Sequence, residues 1–143
     1  MRRAAALGLV IVAASGVVAG AQPAAGFDVR IPDKLELVAG ESGTLGVAIA
    51  IDRGLQISRD AALILDLAPD PGVTIKKHRL GRTDAVDPEA ESPRFAIPVR
   101  ADTTGQTNVA VRVRFWLCAA RACRPIDVRR TVPVVVSSGG SGA

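Results

Sequence analysis

Beyond an N-terminal apolar run, the chain alternates apolar and polar residues at period two, the pattern of strands with one buried face. In "NVAVRVRFWLC", Val109, Val111, Val113, Phe115 and Leu117 share one face, and Ala110, Arg112, Arg114, Trp116 and Cys118 share the other. "TLGVAIAID" repeats the pattern with Leu45, Val47, Ile49 and Ile51, and "ALILDLAP" with Leu63, Leu65 and Leu67 before Pro69. Shorter pieces follow the same rule: "KLELVAG" with Leu35 and Leu37, "GVTIKK" with Val73 and Ile75, and "RFAIPVRA" with Phe95, Ile97 and Val99. Pro98 has no N–H to give a ladder, which points this last strand to a sheet edge or a bulge. In "IDVRRTVPVVV", Ile126, Val128, Val132, Val134 and Val136 fall on one face. Arg130 falls in the same register, so a bulge near Arg129–Arg130 is expected to keep its charge out of the core.

No helical period of useful length accompanies these strands. About seven short strands, separated by Gly, Pro and Asp, predict an all-β fold, an antiparallel immunoglobulin-like β-sandwich. The expected domain covers residues 34–136, after a flexible lead-in at 22–33 and before a disordered tail at 137–143. The polar stretch 81–92, "GRTDAVDPEAES", reads as a mobile loop.

Composition sharpens this picture. Hydrophobic residues make up 48% of the 143 positions but aromatics only 3%, so the core must be built from Val, Ile, Leu and Ala. The N-terminus joins a basic "MRR" to an uncharged apolar run and then Ala19-Gly20-Ala21. That order predicts a signal peptide over residues 1–21, cleaved after Ala21, and a periplasmic or secreted mature protein with no stable membrane span. The alternative is an uncleaved anchor, because the run approaches spanning length. Without Arg2 and Arg3, 16 basic residues face 14 acidic ones, a net charge of +2 that gives no case for nucleic acid.

Candidate chemistry concentrates in "RFWLCAARACRPID", which holds both cysteines. Two strands flank "CAARAC", and a four-residue connection is a normal hairpin length. Cys118 and Cys123 are then expected to face each other across the last rung and to form a disulfide, which persists in an oxidising compartment. The closed loop is so short that chain entropy gives it only about 2 kcal/mol. A bridge meant purely for stability gains more by joining distant strands, which favours a redox or conformational role. Arg121 and Arg124 beside the sulfurs, with Arg114 on the same strand, would stabilise a thiolate and improve it as a leaving group. Trp116, on the same face as Cys118, is placed to shield the pair or dock a partner. The alternative is a passive clip surrounded by solvated arginines.

Other constellations are weaker. His78 sits in "KKHRLGR", with no nucleophile or carboxylate placed beside it by sequence, and reads as a solvated strand end or a generic anion patch. One His, two Cys and no Met after residue 1 make a poor metal set, and "DAVDPEAE" lacks the ligand spacing of a calcium loop. No glycine-rich phosphate loop is present, and no cofactor is implied.

The segment "VRVRFWLCAARACRPIDVRRTVPVVV" resembles the last two strands of the N-terminal periplasmic domain of the thiol:disulfide interchange protein DsbD, and of smaller exported proteins sharing that pattern. The shared features are an aromatic-rich strand, Cys, a short loop, Cys, a nearby Pro and a final Val-rich strand. "GLQISRDAALILDLAPDPGVTI" and "PRFAIPVRADTTGQTNVAVRVRF" fit the family's upstream strands, so the resemblance covers roughly residues 34 to 136. It implies an immunoglobulin-like domain whose cysteines, here Cys118 and Cys123, exchange electrons with thioredoxin-fold or other exported thiol proteins. Trp116, Arg121 and Arg124 would then border the docking surface. The chain departs from the family in having one fewer residue between the cysteines and no clear match to the shielding loop of aromatics.

Overall fold

The computed structural model describes residues 26–139. The expected signal peptide, most of the lead-in and all but the start of the tail lie outside the described residues. Ten strands follow one another: β1 Phe27–Arg30, β2 Leu35–Val38, β3 Ser42–Ile51, β4 Gln56–Ile57, β5 Ile64–Pro69, β6 Val73–Thr74, β7 Arg79–Leu80, β8 Arg94–Ala101, β9 Gly105–Cys118 and β10 Cys123–Ser137. They form two sheets. One runs β1-β3-β8-β6, and the other runs β2-β10-β9-β5-β7 with β4 also paired to β9. The chain is thus an all-β, immunoglobulin-like sandwich.

The period-two pattern explains the core. Leu45, Val47 and Ile49 of β3 and Phe95, Ile97 and Val99 of β8 face Leu65 and Leu67 of β5 and Val109, Val111, Val113, Phe115 and Leu117 of β9, all buried. No charged or polar residue is buried with them among the described residues. Burial of such apolar area at about 25 cal/mol per Å² is what holds the sheets together.

Several expectations need correction. Among the described residues ten strands replace seven, because β4 and β7 have only two residues each and β1 lies within the stretch read as lead-in. β1 is held by antiparallel pairing to β3, from Phe27 opposite Ile51 to Arg30 opposite Ala48. The sandwich is not wholly antiparallel, since β2 runs parallel to the end of β10, Leu35 beside Val134. The stretch 81–92 is tied down: the Gly81 N–H donates to Asp84 (2.9 Å), Lys77 reaches Asp84 (2.6 Å), and Arg59 reaches Glu89.

The bulge predicted at Arg129–Arg130 is absent. β9 and β10 stay in one register from Cys123 opposite Cys118 to Val136 opposite Gly105. Arg130 keeps its core-side parity but is exposed, because β2 pairs only with residues 134–137 and leaves this part of β10 at the sheet's edge. Its guanidinium turns outward and donates to the Arg129 carbonyl (3.0 Å). Pro98 sits where the edge argument needs it, since β6 pairs only with Arg100 and Ala101 and leaves Pro98 with no paired strand on that side.

Candidate functional site: the cysteine hairpin

The two longest strands meet at their ends in the cysteine pair. Cys118 closes β9 and Cys123 opens β10 directly opposite it. Beyond them the Ala119 N–H donates to the Ala122 carbonyl (2.8 Å), leaving Ala120 and Arg121 at the tip. Hydrogen-bonded and non-hydrogen-bonded rungs alternate in an antiparallel ladder, so the cysteines occupy a close, non-hydrogen-bonded rung. Their Cα atoms are 4.0 Å apart and their sulfurs are bonded.

The two halves of the bridge differ in surroundings. β9 is an interior strand, and β4 flanks it on the side away from β10, Gln56 opposite Cys118. The Ser58 N–H continues that contact by donating to the Trp116 carbonyl (2.8 Å). Cys118 is accordingly only 6% exposed. Cys123 lies on the outer strand, with β9 as its one paired neighbour among the described residues, and is exposed. A hollow of about 230 Å³, lined by Leu55, Leu117, Ala119, Ala122, Cys123 and Arg124, opens beside it.

The neighbouring cations do not act as one group. Arg114 is committed to Asp66, its Nη2 2.6 Å from Oδ2, rather than to the sulfurs. Its Nε is buried without a hydrogen-bond partner. Arg79 takes the other oxygen of Asp66 at 2.7 Å. Arg79 and then Arg114 hold the Asp66 carboxyl below its usual range, against the opposing effect of burial. Arg121 is exposed at the tip. Arg124 lies over the Phe27 ring, 5.9 Å from its centroid, and Phe27 meets Phe115 edge to face at 5.7 Å. Trp116 is 43% exposed and pairs across the ladder with the exposed Pro125.

The structure therefore joins Cys118 to Cys123 and places Trp116, Arg121 and Arg124 around the same hairpin, while Arg114 is withdrawn. Sequence reasoning missed Leu55, Gln56 and Phe27. Gln56 lies on the two-residue β4 and Leu55 just before it, with no period to read, and the alternation of β1 from Phe27 runs for only four residues.

No family model matches the chain, and no curated protein matches it. Among solved structures, it is similar to domains 4 and 5 of the S-layer protein SbsC (12% identity, TM-score 0.46). That alignment covers 76% of this chain, which spans 44% of the SbsC structure. It is also similar to murine CRIg (6% identity, TM-score 0.45, 79% of this chain and 99% of that one). A third is AggA, the major subunit of aggregative adherence fimbriae type I from Escherichia coli (8% identity, TM-score 0.39, 78% and 95%). Among the described residues, no helix is long and apolar enough to cross a membrane.

Proposed function

We propose that the protein is an exported thiol–disulfide exchange domain working through Cys118 and Cys123. The observation that carries this reading is the asymmetry of the bridge: Cys123 lies exposed on the outer strand while Cys118 is covered. Exchange needs one sulfur that an incoming thiolate can reach in line with the bond. A partner thiolate attacks Cys123 Sγ, forming a mixed disulfide and breaking the Sγ–Sγ bond. Cys118 leaves as a thiolate and takes up a proton. A second partner thiol, giving up its proton, attacks the partner's own sulfur in that mixed disulfide and releases Cys123. The partner ends as a disulfide and the hairpin as a dithiol, with two electrons and two protons transferred. The reverse sequence runs when the partner is the oxidant.

The resemblance to the DsbD N-terminal domain supports a thioredoxin-fold partner, whose active site carries the paired thiols this scheme requires. Arg124, next to Cys123 in the chain, favours the thiolate that forms when Cys123 is released. Trp116, Pro125 and the tip residue Arg121 supply an exposed rim for docking. A persistent bridge of this kind belongs to an oxidising compartment, in keeping with export.

Trapping tests the scheme. Cys118→Ala leaves Cys123 unable to resolve a mixed disulfide, so it accumulates covalent adducts with exported thiol proteins, whereas Cys123→Ala gives few. Equal trapping by both variants, or none by either, overturns it.

A second reading rests on Trp116, a large hydrophobic residue exposed on a β-sheet face. In that reading the domain is a non-catalytic immunoglobulin-like binding module, and the disulfide is a structural clip outside the binding surface. Replacing both cysteines by Ala would then leave partner binding intact, while Trp116→Ala would abolish it.

A further inference from the structure

The outer face of the six-stranded sheet carries a trough of about 700 Å³ away from the cysteine hairpin. Its floor is a row of small residues across three strands: Ala68 of β5 opposite Ala110 of β9, opposite Thr131 of β10. The adjacent row is ionic, with Arg79 opposite Asp66, Asp66 opposite Arg112, and Arg112 opposite Arg129. Arg130 and His78 complete the rim.

Two carboxylates hold part of this array in place. Asp127 accepts from Arg112 through both Nε (3.0 Å) and Nη2 (2.7 Å), and Asp66 accepts from Arg79 and Arg114. Arg129 reaches Asp127 only at 4.0 Å. Arg79, Arg112, Arg114, Arg129 and Arg130 set against Asp66 and Asp127 leave three positive charges on this face. Asp33, which lines the neighbouring cleft with Arg130, would reduce that to two. A guanidinium has five N–H donors; the carboxylates use one from Arg79, one from Arg114 and two from Arg112, so further donors remain in fixed directions.

We propose that this trough binds an extended acidic peptide segment of a partner protein. Carboxylate-binding chemistry, an open shape and the spacing of the cations select that occupant. Asp66 and Asp127 show that these guanidinia seat carboxylates, singly and bidentately. The trough is open and shallow-floored, suited to a chain lying across the sheet rather than to a small molecule enclosed by walls. Arg79 and Arg129 are three strand spacings apart, about 14 Å, which an extended peptide spans between carboxylates at i and i+4 on one face. The methyl groups of Ala68, Ala110 and Thr131 leave room for the backbone between them.

The probe is a fluorescein-labelled peptide with Glu at alternate positions in a Gly/Ser background, with the all-Gln peptide beside it, followed by fluorescence anisotropy. The wild-type chain is expected to bind the Glu peptide, more tightly as salt is lowered, and not the Gln peptide. Arg129→Ala with Arg130→Ala should weaken binding by at least about tenfold. Arg53→Ala with Arg94→Ala, which removes the same charge elsewhere, should change it less than about twofold. Thermal melts of both double variants establish that they are folded. Equal weakening by the two pairs would overturn the proposal in favour of nonspecific charge. Absence of binding at low salt, or tighter competition by inorganic phosphate or a sulfated oligosaccharide than by the peptide, would also overturn it.

Discussion

Cys118 and Cys123 are direct cross-strand partners, yet one is covered and the other is open: β4 flanks Cys118, while Cys123 has β9 alone beside it among the described residues. This difference should survive reduction, since the strands and not the bridge create it. In the reduced protein, Cys123 should react with a maleimide at least about tenfold faster than Cys118. Mass spectrometry of timed, quenched samples, with each single Cys→Ala variant as reference, measures the two rates. Equal rates would mean that β4 does not cover the first cysteine.

The bridge should contribute little to folding. Replacing both cysteines by Ala is expected to cost about 2 kcal/mol, the entropy of a very short closed loop. Urea unfolding of oxidised wild type and the double variant gives the number. A loss above about 4 kcal/mol would show that the hairpin is a structural staple.

Three ion-paired aspartates set an acid limit. Asp66, Asp84 and Asp127 are each held below their usual pKa by cations, first Arg79, Lys77 and Arg112 respectively. A lowered folded-state pKa means that the unfolded chain binds more protons as pH falls. The stabilisation is therefore full above about pH 4 and is lost as pH drops through the folded values. Asp66→Asn should lower the Tm at neutral pH by roughly 2–5 °C, because it leaves the partly buried Arg114 without its carboxylate, and should flatten the loss below about pH 4. Melting curves across pH 2–7 check both signs.

Core and turn positions make a sharper contrast. Leu65 is fully buried, so Leu65→Ala should cost about 2–5 kcal/mol, whereas Val86, 58% exposed, should tolerate Val86→Ser nearly without effect. Gly105 has φ +136°, a conformation side chains rarely adopt, and Gly105→Ala should destabilise by about 1 kcal/mol or more. Gly46 has open space around its Cα, and Gly46→Ala should be neutral or stabilising. Chemical denaturation of the four variants tests the set.

The legible and illegible parts of the fold divide along physical lines. Period two named the buried faces of β3, β5, β8 and β9, because each strand is long enough for alternation to rise above chance. β4 and β7 have two residues each and no period to read, so the covering of Cys118 went unseen. The cysteine hairpin was legible because it is local in sequence. Arg114 was not, because its partner Asp66 stands 48 residues away. Parity places Arg130 correctly, but its exposure needs no bulge, because the end of β2 already leaves an edge there.

The reduction potential of the Cys118–Cys123 pair tests the central claim most directly. Equilibration of the purified domain with glutathione buffers, read by differential alkylation, is expected to give a value near or above about −230 mV, within reach of thioredoxin-fold partners. A value below about −300 mV would mark a bond that such partners cannot open and would contradict the exchange function.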